Sequence, residues 1–192
     1  MGPNGPNISS SMKVFVVIPT RNRRDITEKC LESLAQQSFD NLQVIVVDDG
    51  STDGTRELIR DSFSDVILLE GDGNLWWTGA IRMGVEFALK HADSEDFVLI
   101  QNDDTYMEKE FVANLVDISE ANNRIIIGTS VKDLDSKDVL YNAHRYVKGS
   151  YRPVVAQENT EILETDTISG RGVLIPVEVF DKVGNFSKLF PH

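Results

Sequence analysis

Short unbroken apolar runs alternate along the chain with longer stretches in which apolar residues recur every three or four positions. Val14 to Ile18 is the first run and stops at Pro19; Asp25 to Gln37 follows, with Ile26, Cys30, Leu31 and Leu34 at helical spacing. The pattern then predicts a strand over Leu42 to Val47, a turn at Asp48-Asp49-Gly50-Ser51, and a helix over Thr52 to Asp61 capped by Ser51 or Thr52. Val66 to Leu69 reads as a third strand and Gly71 to Asn74 as a glycine-rich loop. Thr78 to His91 reads as a helix with Ile81, Val85, Phe87, Ala88 and Leu89 on its apolar face. Phe97 to Ile100, Met107 to Ala121 and Ile125 to Ile127 continue the series as strand, helix and strand. Strands this short and this uniformly apolar are buried on both faces, so the expected fold is α/β: a Rossmann-like, mostly parallel sheet flanked by helices.

Beyond Thr129 the period changes. Val139 to Val147 and Tyr151 to Ala156 mix aromatic, basic and small residues around Lys148-Gly149-Ser150, which predicts a small β-hairpin region, and Val173 to Ile175 reads as a further strand. Residues 1 to 11, rich in Gly, Pro, Asn and Ser, read as a flexible leader or tag remnant outside the fold, leaving 12 to 192 as one domain.

Composition narrows the function classes. With 41% hydrophobic and 26% charged residues in 192, the chain suffices for one substantial core. A net charge of -12 argues against a nucleic-acid binder, which must neutralise phosphates with Lys and Arg. The opening residues lack a signal peptide's charged and apolar regions, and no apolar run nears the roughly 20 residues of a membrane span, so a cytoplasmic location is expected. Cys30 is the single cysteine, excluding an internal disulfide and a cysteine-rich zinc site, and reads as a small core residue. His91 and His144 have no ligand spacing.

The chemistry is concentrated at strand ends. Asp103 and Asp104 follow the run Phe97 to Ile100; two adjacent carboxylates repel unless a cation is present, and oxygen ligands suit Mg²⁺ or Mn²⁺ bridging substrate phosphates. The alternative is a solvated turn. Pro19-Thr20-Arg21-Asn22 follows the first strand and Asp48-Asp49-Gly50-Ser51 the second. With right-handed crossovers these ends share one edge of the sheet, where a nucleotide would meet carboxylates, hydroxyls and amides together. A nucleoside diphosphate leaves well only when its developing charge meets a cation or fixed donors. Asp104, helped by Asp103, would hold that cation, and Asp48 or Asp49 would accept from a base imide or ribose hydroxyls, unless both simply form the turn.

Five segments together resemble the inverting glycosyltransferases of family two, with the GT-A fold. They are VVIPTRNR (16 to 23), VIVVDDGSTDGT (44 to 55), Asn74 to Ala88, the Asn102-Asp103-Asp104 stretch, and SGRGVLIPVEVFDKVGNF (169 to 186). The resemblance spans nearly all of the chain after residue 12 and is strongest to bacterial rhamnosyltransferase-like members that build surface polysaccharides. It implies transfer with inversion from a nucleotide-diphosphate sugar to a glycan or lipid-linked acceptor. Pro19, Thr20, Arg21, Asp48 and Asp49 would border the nucleoside, and Asp103 and Asp104 would end a DXD-type metal motif using Mn²⁺ or Mg²⁺. Gly73-Asn74 and Gly79-Ala80 would lie near the diphosphate, with Arg82 either adding charge there or standing on the surface. Gly170, in the Ser169 to Gly172 turn, would leave room for the substrate, and Arg171 would touch phosphate or acceptor or else face solvent.

Three departures from the family pattern carry consequences. Arg21 stands where many members place a tyrosine against the base, and Gln101 replaces the first Asp of the metal motif. The chain stops at His192, before the segment in which relatives carry the acidic catalytic base. The expected domain is therefore incomplete at its C-terminus, with any peripheral membrane contact carried by the missing part. Trp76-Trp77 would place one indole against a sugar ring and one in the core. The competing readings are a sugar-nucleotide-binding domain without turnover and, ranked low, a phosphorylatable receiver domain. The receiver lacks its phospho-accepting Asp after the third strand, which ends Leu69-Glu70-Gly71.

Overall fold

The computed structural model describes residues 12–141, 143–154 and 162–187. The leader, residues 155 and 156 of the expected hairpin, and His192 lie outside them.

The elements run in the order β1 (Val14–Thr20), α1 (Arg24–Ala35), β2 (Leu42–Asp48), α2 (Thr55–Ser62), β3 (Ile67–Glu70), α3 (Trp76–Leu89), β4 (Phe97–Ile100) and α4 (Phe111–Ala121). They continue with β5 (Ile127–Gly128), β6 (Val131–Lys132), β7 (Val139–Tyr141), β8 (Ala143–Val147), β9 (Ser150–Val154), β10 (Val173–Pro176) and α5 (Val177–Val183). A six-stranded sheet has the order β3-β2-β1-β4-β10-β5; the first four strands are mutually parallel, and β10 is antiparallel to both β4 and β5. The mostly parallel sheet read from the apolar runs is the observed one.

Period-two alternation divides the core in two. Val14, Val16, Ile18, Val46, Phe97, Leu99 and Leu174 meet α1 and α4 through Cys30, Leu31, Leu34, Val112, Leu115 and Val116. Phe15, Val17, Ile45, Val47, Val98 and Ile100 face α3 and α5 through Ala80, Ile81, Val85, Ala88 and Phe180. Gly84 brings α3 close: a Cβ there would sit 2.3 Å from Val17 Cγ1 and 3.1 Å from Val47 Cγ2.

Several boundaries differ from the apolar pattern for local reasons. The buried stripe of α1 starts at Thr27, not Ile26, because the Thr27 hydroxyl shares a 2.8 Å hydrogen bond with Thr20. Ser51 and Thr52 do not cap α2. Ser51 N donates to Asp48 and Thr52 N to Asn22, and the helix starts at Thr55, whose amide and hydroxyl both donate to Asp53. The hairpin is β8 paired with β9 across Lys148-Gly149, both at positive φ as a two-residue hairpin turn requires, whereas β7 pairs with β6. Among the described residues no helix is long and apolar enough to cross a membrane.

Candidate functional site

The carboxyl ends of β1, β2 and β4 open onto a cleft of about 270 Å³ lined by Pro19, Thr20, Arg21, Arg23, Asp49, Trp76, Trp77, Ala80, Asn102 and Asp103. That is just under the roughly 300–1,000 Å³ of small-molecule sites, so a nucleotide-sized ligand would extend past its rim. Parallel pairing puts these ends in register: Thr20 lies opposite Asp48, and Asp48 opposite Glu70. The antiparallel β10 adds the Ser169 to Gly172 turn to the same edge, because Val173 lies opposite Ile100 and Gly172 N donates to Ile100 O.

The four aspartates of this edge have distinct environments. Asp49 is buried and is filled by backbone: its Oδ1 accepts from Gly73 N at 2.8 Å, and its Oδ2 from Leu75 N at 3.0 Å and Trp76 N at 3.1 Å. It is thus the anion at the start of α3, which explains why the helix begins at Trp76, two residues before the expected Thr78. Asp48 is fully buried beneath the cleft; its Oδ1 accepts from Ser51 N and from Arg56 Nε at 2.7 Å, and its Oδ2 has no hydrogen-bond partner. That pairing raises the Arg56 guanidinium further above its ordinary value.

Asp103 is buried at the cleft wall. Thr20 Oγ1 donates to its Oδ2 at 2.9 Å and Arg23 Nη1 to its Oδ1 at 2.6 Å. Burial raises its pKa, outweighing the pull of Arg23 and Thr20 toward the ionised form. For Arg23 burial acts the other way, but the facing Asp103 and Asp104 win and raise it. Asp104 is less enclosed: its Oδ2 lies 3.4 Å from Arg23 Nη1 and 3.6 Å from Arg171 Nη2, while its Oδ1 is buried without a partner. Gln101, in the place of an acidic motif residue, is buried with its Nε2 on Thr105 Oγ1, so it packs the turn after β4.

The two tryptophans separate clearly. Trp77 is a wall: its Nε1 donates to Asn102 Oδ1 at 2.9 Å, and its ring edge fills the space beside Gly170, where a Cβ would lie 2.5 Å from Cζ2. The room left by Gly170 is therefore taken by Trp77. Trp76 is 58% exposed over the cleft and holds a φ of 55°, an uncommon conformation for a bulky residue that the Asp49 contact fixes. Arg21 crosses the mouth, donating to Gly73 O at 2.6 Å with Nη1 3.8 Å from Asp49.

The structure thus gathers Pro19, Thr20, Arg21, Asp49 and Asp103 around one cleft, with Asp104 and Gly170 beside it and Asp48 beneath. Asn74 is exposed on the adjoining loop, and Gly79 faces the Leu75 side chain. Arg82 stands apart. It is two residues beyond Ala80, about 200° round the helix, and lines a separate groove with Glu86, Lys90 and Phe186. The sequence reading passes over Arg23 and Arg56; the basic run directly after β1, opposite the acidic runs after its neighbours, is a signal for Arg23, whereas Arg56 is a lone arginine in α2 with no such mark. Cys30 is the expected core residue: its thiol donates to Asn102 O, and burial, then the nearby Asp103 and Asp104, push its pKa up to about 12.

Comparison with known proteins agrees with this architecture. A mannosyltransferase of Pyrobaculum calidifontis, solved with GDP-Man and Mn²⁺, superposes with a TM-score of 0.64 at 22% identity, covering 91% of this chain and 47% of that one. S. aureus TarS 1-349 in complex with UDP-GlcNAc gives a TM-score of 0.66 at 20% identity, covering 91% and 48%; both likenesses establish the GT-A fold. An uncharacterized glycosyltransferase of Rickettsia felis is 26% identical over 183 residues, 93% of this chain but 29% of that protein. The poly(ribitol-phosphate) beta-glucosyltransferase of Bacillus spizizenii is 29% identical over 133 residues, 67% of this chain and 20% of its own. The chain thus spans under a third of the length of these two curated relatives. The profile described as Glycosyl transferase family 2 matches residues 15–184, and the chain belongs to that family.

Proposed function

We propose that the cleft binds a nucleotide-diphosphate sugar and that the protein containing this chain transfers the sugar, with inversion, to a glycan or lipid-linked acceptor of a bacterial surface polysaccharide. The observation that carries the reading is Asp104. Its Oδ1 is a buried, partnerless oxygen just past the carboxyl end of a parallel strand, on a carboxylate that two arginines face. A divalent cation, Mn²⁺ or Mg²⁺, fits it, since an unpaired carboxylate oxygen is the hard donor such ions take. Among the described residues no group of three or more His, Cys, Asp or Glu could hold a metal alone, so phosphate oxygens and water would complete the shell.

When bound, the cation would offset the charge that grows on the departing diphosphate. The chain's own residues do the remaining donor chemistry. Asp49 fixes the Gly73 to Trp76 backbone that forms one wall, Arg21 presents a guanidinium plane at the nucleoside end, and Trp76 offers an apolar face for a sugar or base ring. Asp49 and Asp103 have both oxygens taken and Asp104 is assigned to the cation, so none of these three carboxylates takes the acceptor's proton. The finer assignment, a rhamnosyltransferase-like member working at the cytoplasmic membrane face, rests on the similarity of the five segments alone.

Calorimetric titration with UDP, dTDP and GDP, each with and without Mn²⁺, tests the reading on wild type and Asp104→Asn. Metal-assisted binding of one nucleotide, lost in the variant, is expected. Binding of none, or binding indifferent to Asp104, would overturn it.

A further inference from the structure

We propose that the β8–β9 hairpin docks the acceptor, and that this acceptor is an anionic glycan, one carrying phosphate or carboxylate groups. The inference rests on the donor-site reading above and adds the chemistry of the second substrate. It starts from a local reversal of charge. Between Asp138 and Glu158 the chain holds no acidic residue but holds His144, Arg145, Lys148 and Arg152, in a protein of net charge -12. Folding gathers these into one antiparallel pair, with Arg145 opposite Arg152 in register and Lys148 in the two-residue turn. Like charges at facing positions weaken a hairpin, so its own stability does not account for them.

The positive charge here is available to a partner. Arg145 and Lys148 are exposed, and among the described residues neither forms an ion pair. Arg145 Nε and Nη2 both donate to Glu164 O, a carbonyl that orients the guanidinium without cancelling its charge. The Asp166 carboxylate beside β8 is occupied by Tyr146 N. The cleft differs, because Arg21, Arg23, Arg56 and Arg171 each lie beside an aspartate.

The hairpin also stands where an acceptor must approach. His144 N and O exchange hydrogen bonds with Thr167, and three residues later Gly170 packs on Trp77 in the cleft wall. The base of the hairpin is therefore tethered to that wall by at most about 11 Å of chain. Arg21 and Asp49, at the nucleoside end, follow β1 and β2, whereas β10 lies three strands from β2, about 14 Å away. A donor laid from β2 past Asp104 points its sugar toward the β10 side, and a glycan reaching that sugar passes the hairpin. The acidic remainder of the surface repels an anionic chain, so the basic hairpin would both hold and orient it.

The probes are polyphosphate, polygalacturonate and neutral dextran, titrated against the chain at low and at physiological salt. Polyphosphate or polygalacturonate should bind, dextran should not, and added salt should weaken the binding. Whichever polymer binds more tightly identifies the anionic group. Arg145→Gln combined with Lys148→Gln should lower that affinity by about tenfold, and Lys148→Glu by a similar factor, while Lys148→Arg should match wild type. Affinity for the nucleotide selected from UDP, dTDP and GDP should be unchanged in all three, which excludes misfolding as the cause. Binding of neither polyanion, equal binding of dextran, or indifference to the substitutions overturns the proposal. So does a hairpin whose variants lose only phosphatidylglycerol vesicles, which would make it a membrane contact. A chain that binds nucleotide but no polyanion leaves the donor reading standing; one that binds polyanion but no nucleotide overturns the donor reading, and the acceptor role with it.

Discussion

Replacing Asp49 by Asn separates a residue that builds the cleft from one that touches the ligand. The side chain keeps its shape, but one oxygen becomes an NH₂ facing backbone N–H groups that now have nothing to donate to. If the amide oxygen stays on Leu75 N and Trp76 N, Gly73 N loses its 2.8 Å acceptor. Leaving a buried donor unsatisfied costs about 1–3 kcal/mol. Loss of the negative charge at the start of α3 adds roughly 0.3–2 kcal/mol, the upper end applying because Asp49 is 4% exposed. The two losses share atoms and are not fully additive, which gives about 2–4 kcal/mol and a fall in melting temperature of roughly 5–15 °C for a chain of this size. Trp76, released from its positive φ, should change its emission in the folded variant. Differential scanning calorimetry and tryptophan fluorescence measure these effects, with nucleotide titration alongside. An Asp49→Asn protein that melts with wild type yet fails to bind nucleotide would refute the reasoning, because the carboxylate would then be serving the ligand.

Arg56→Met strips the fully buried Asp48 of its charged partner, and urea unfolding should show a loss of roughly 3–5 kcal/mol; a loss under about 1 kcal/mol would mean that Ser51 N alone suffices. Gly84→Ala should lose about 1–3 kcal/mol by the same measurement despite the better helix propensity of alanine, since its Cβ would lie 2.3 Å from Val17 Cγ1. Cys30 predicts a pH dependence. Its thiol is raised from 9.0 to about 12 by burial, so in alkali the unfolded chain ionises first and stability falls between those values. From about pH 8 to about pH 10 wild type should lose about 1.4 kcal/mol more than Cys30→Ala, and equal slopes would contradict the burial argument.

The apolar runs were enough to read the sheet because each of its parallel strands is covered on both faces and carries little polar signal to confuse. Boundaries were harder to read wherever a side chain replaced a backbone partner across the fold. Asp49 starts α3 from just past the end of β2, Thr20 at the end of β1 claims Thr27 in the first turn of the helix that follows, and Asn22 holds the Ser51-Thr52 loop. Two of these contacts join different strand-helix units and the third joins a strand to the helix after it, so the apolar period within a single element does not announce them. The candidate site was legible as acidic residues at strand ends, but their division of labour was not. Whether an aspartate accepts backbone amides, an arginine or a cation depends on which neighbours the strand order supplies. Arg82 was misleading for a simpler reason: its helix is correct, but it lies on the opposite face from Ala80.

The charge pattern of the site gives the cation a physical role beyond family resemblance. Each aspartate of the edge has its own guanidinium: Arg56 on Asp48, Arg21 near Asp49, Arg23 on Asp103 and Arg171 near Asp104. The positive and negative charges cancel, so within a chain of net charge -12 the edge of the sheet is close to neutral. A neutral edge tolerates the dry, partly enclosed setting in which Asp48, Asp49 and Asp103 are buried, but it offers no surplus positive charge to an incoming diphosphate. Entry of the diphosphate alone would leave the cleft with roughly two uncompensated negative charges, whereas entry with a divalent cation keeps it balanced. A requirement for metal would then follow from how completely the arginines are already committed. An edge with one carboxylate fewer would need the ion less, and converting Asp104 to Asn, which removes a negative charge from beside Arg23 and Arg171, should leave whatever diphosphate affinity survives less dependent on Mn²⁺.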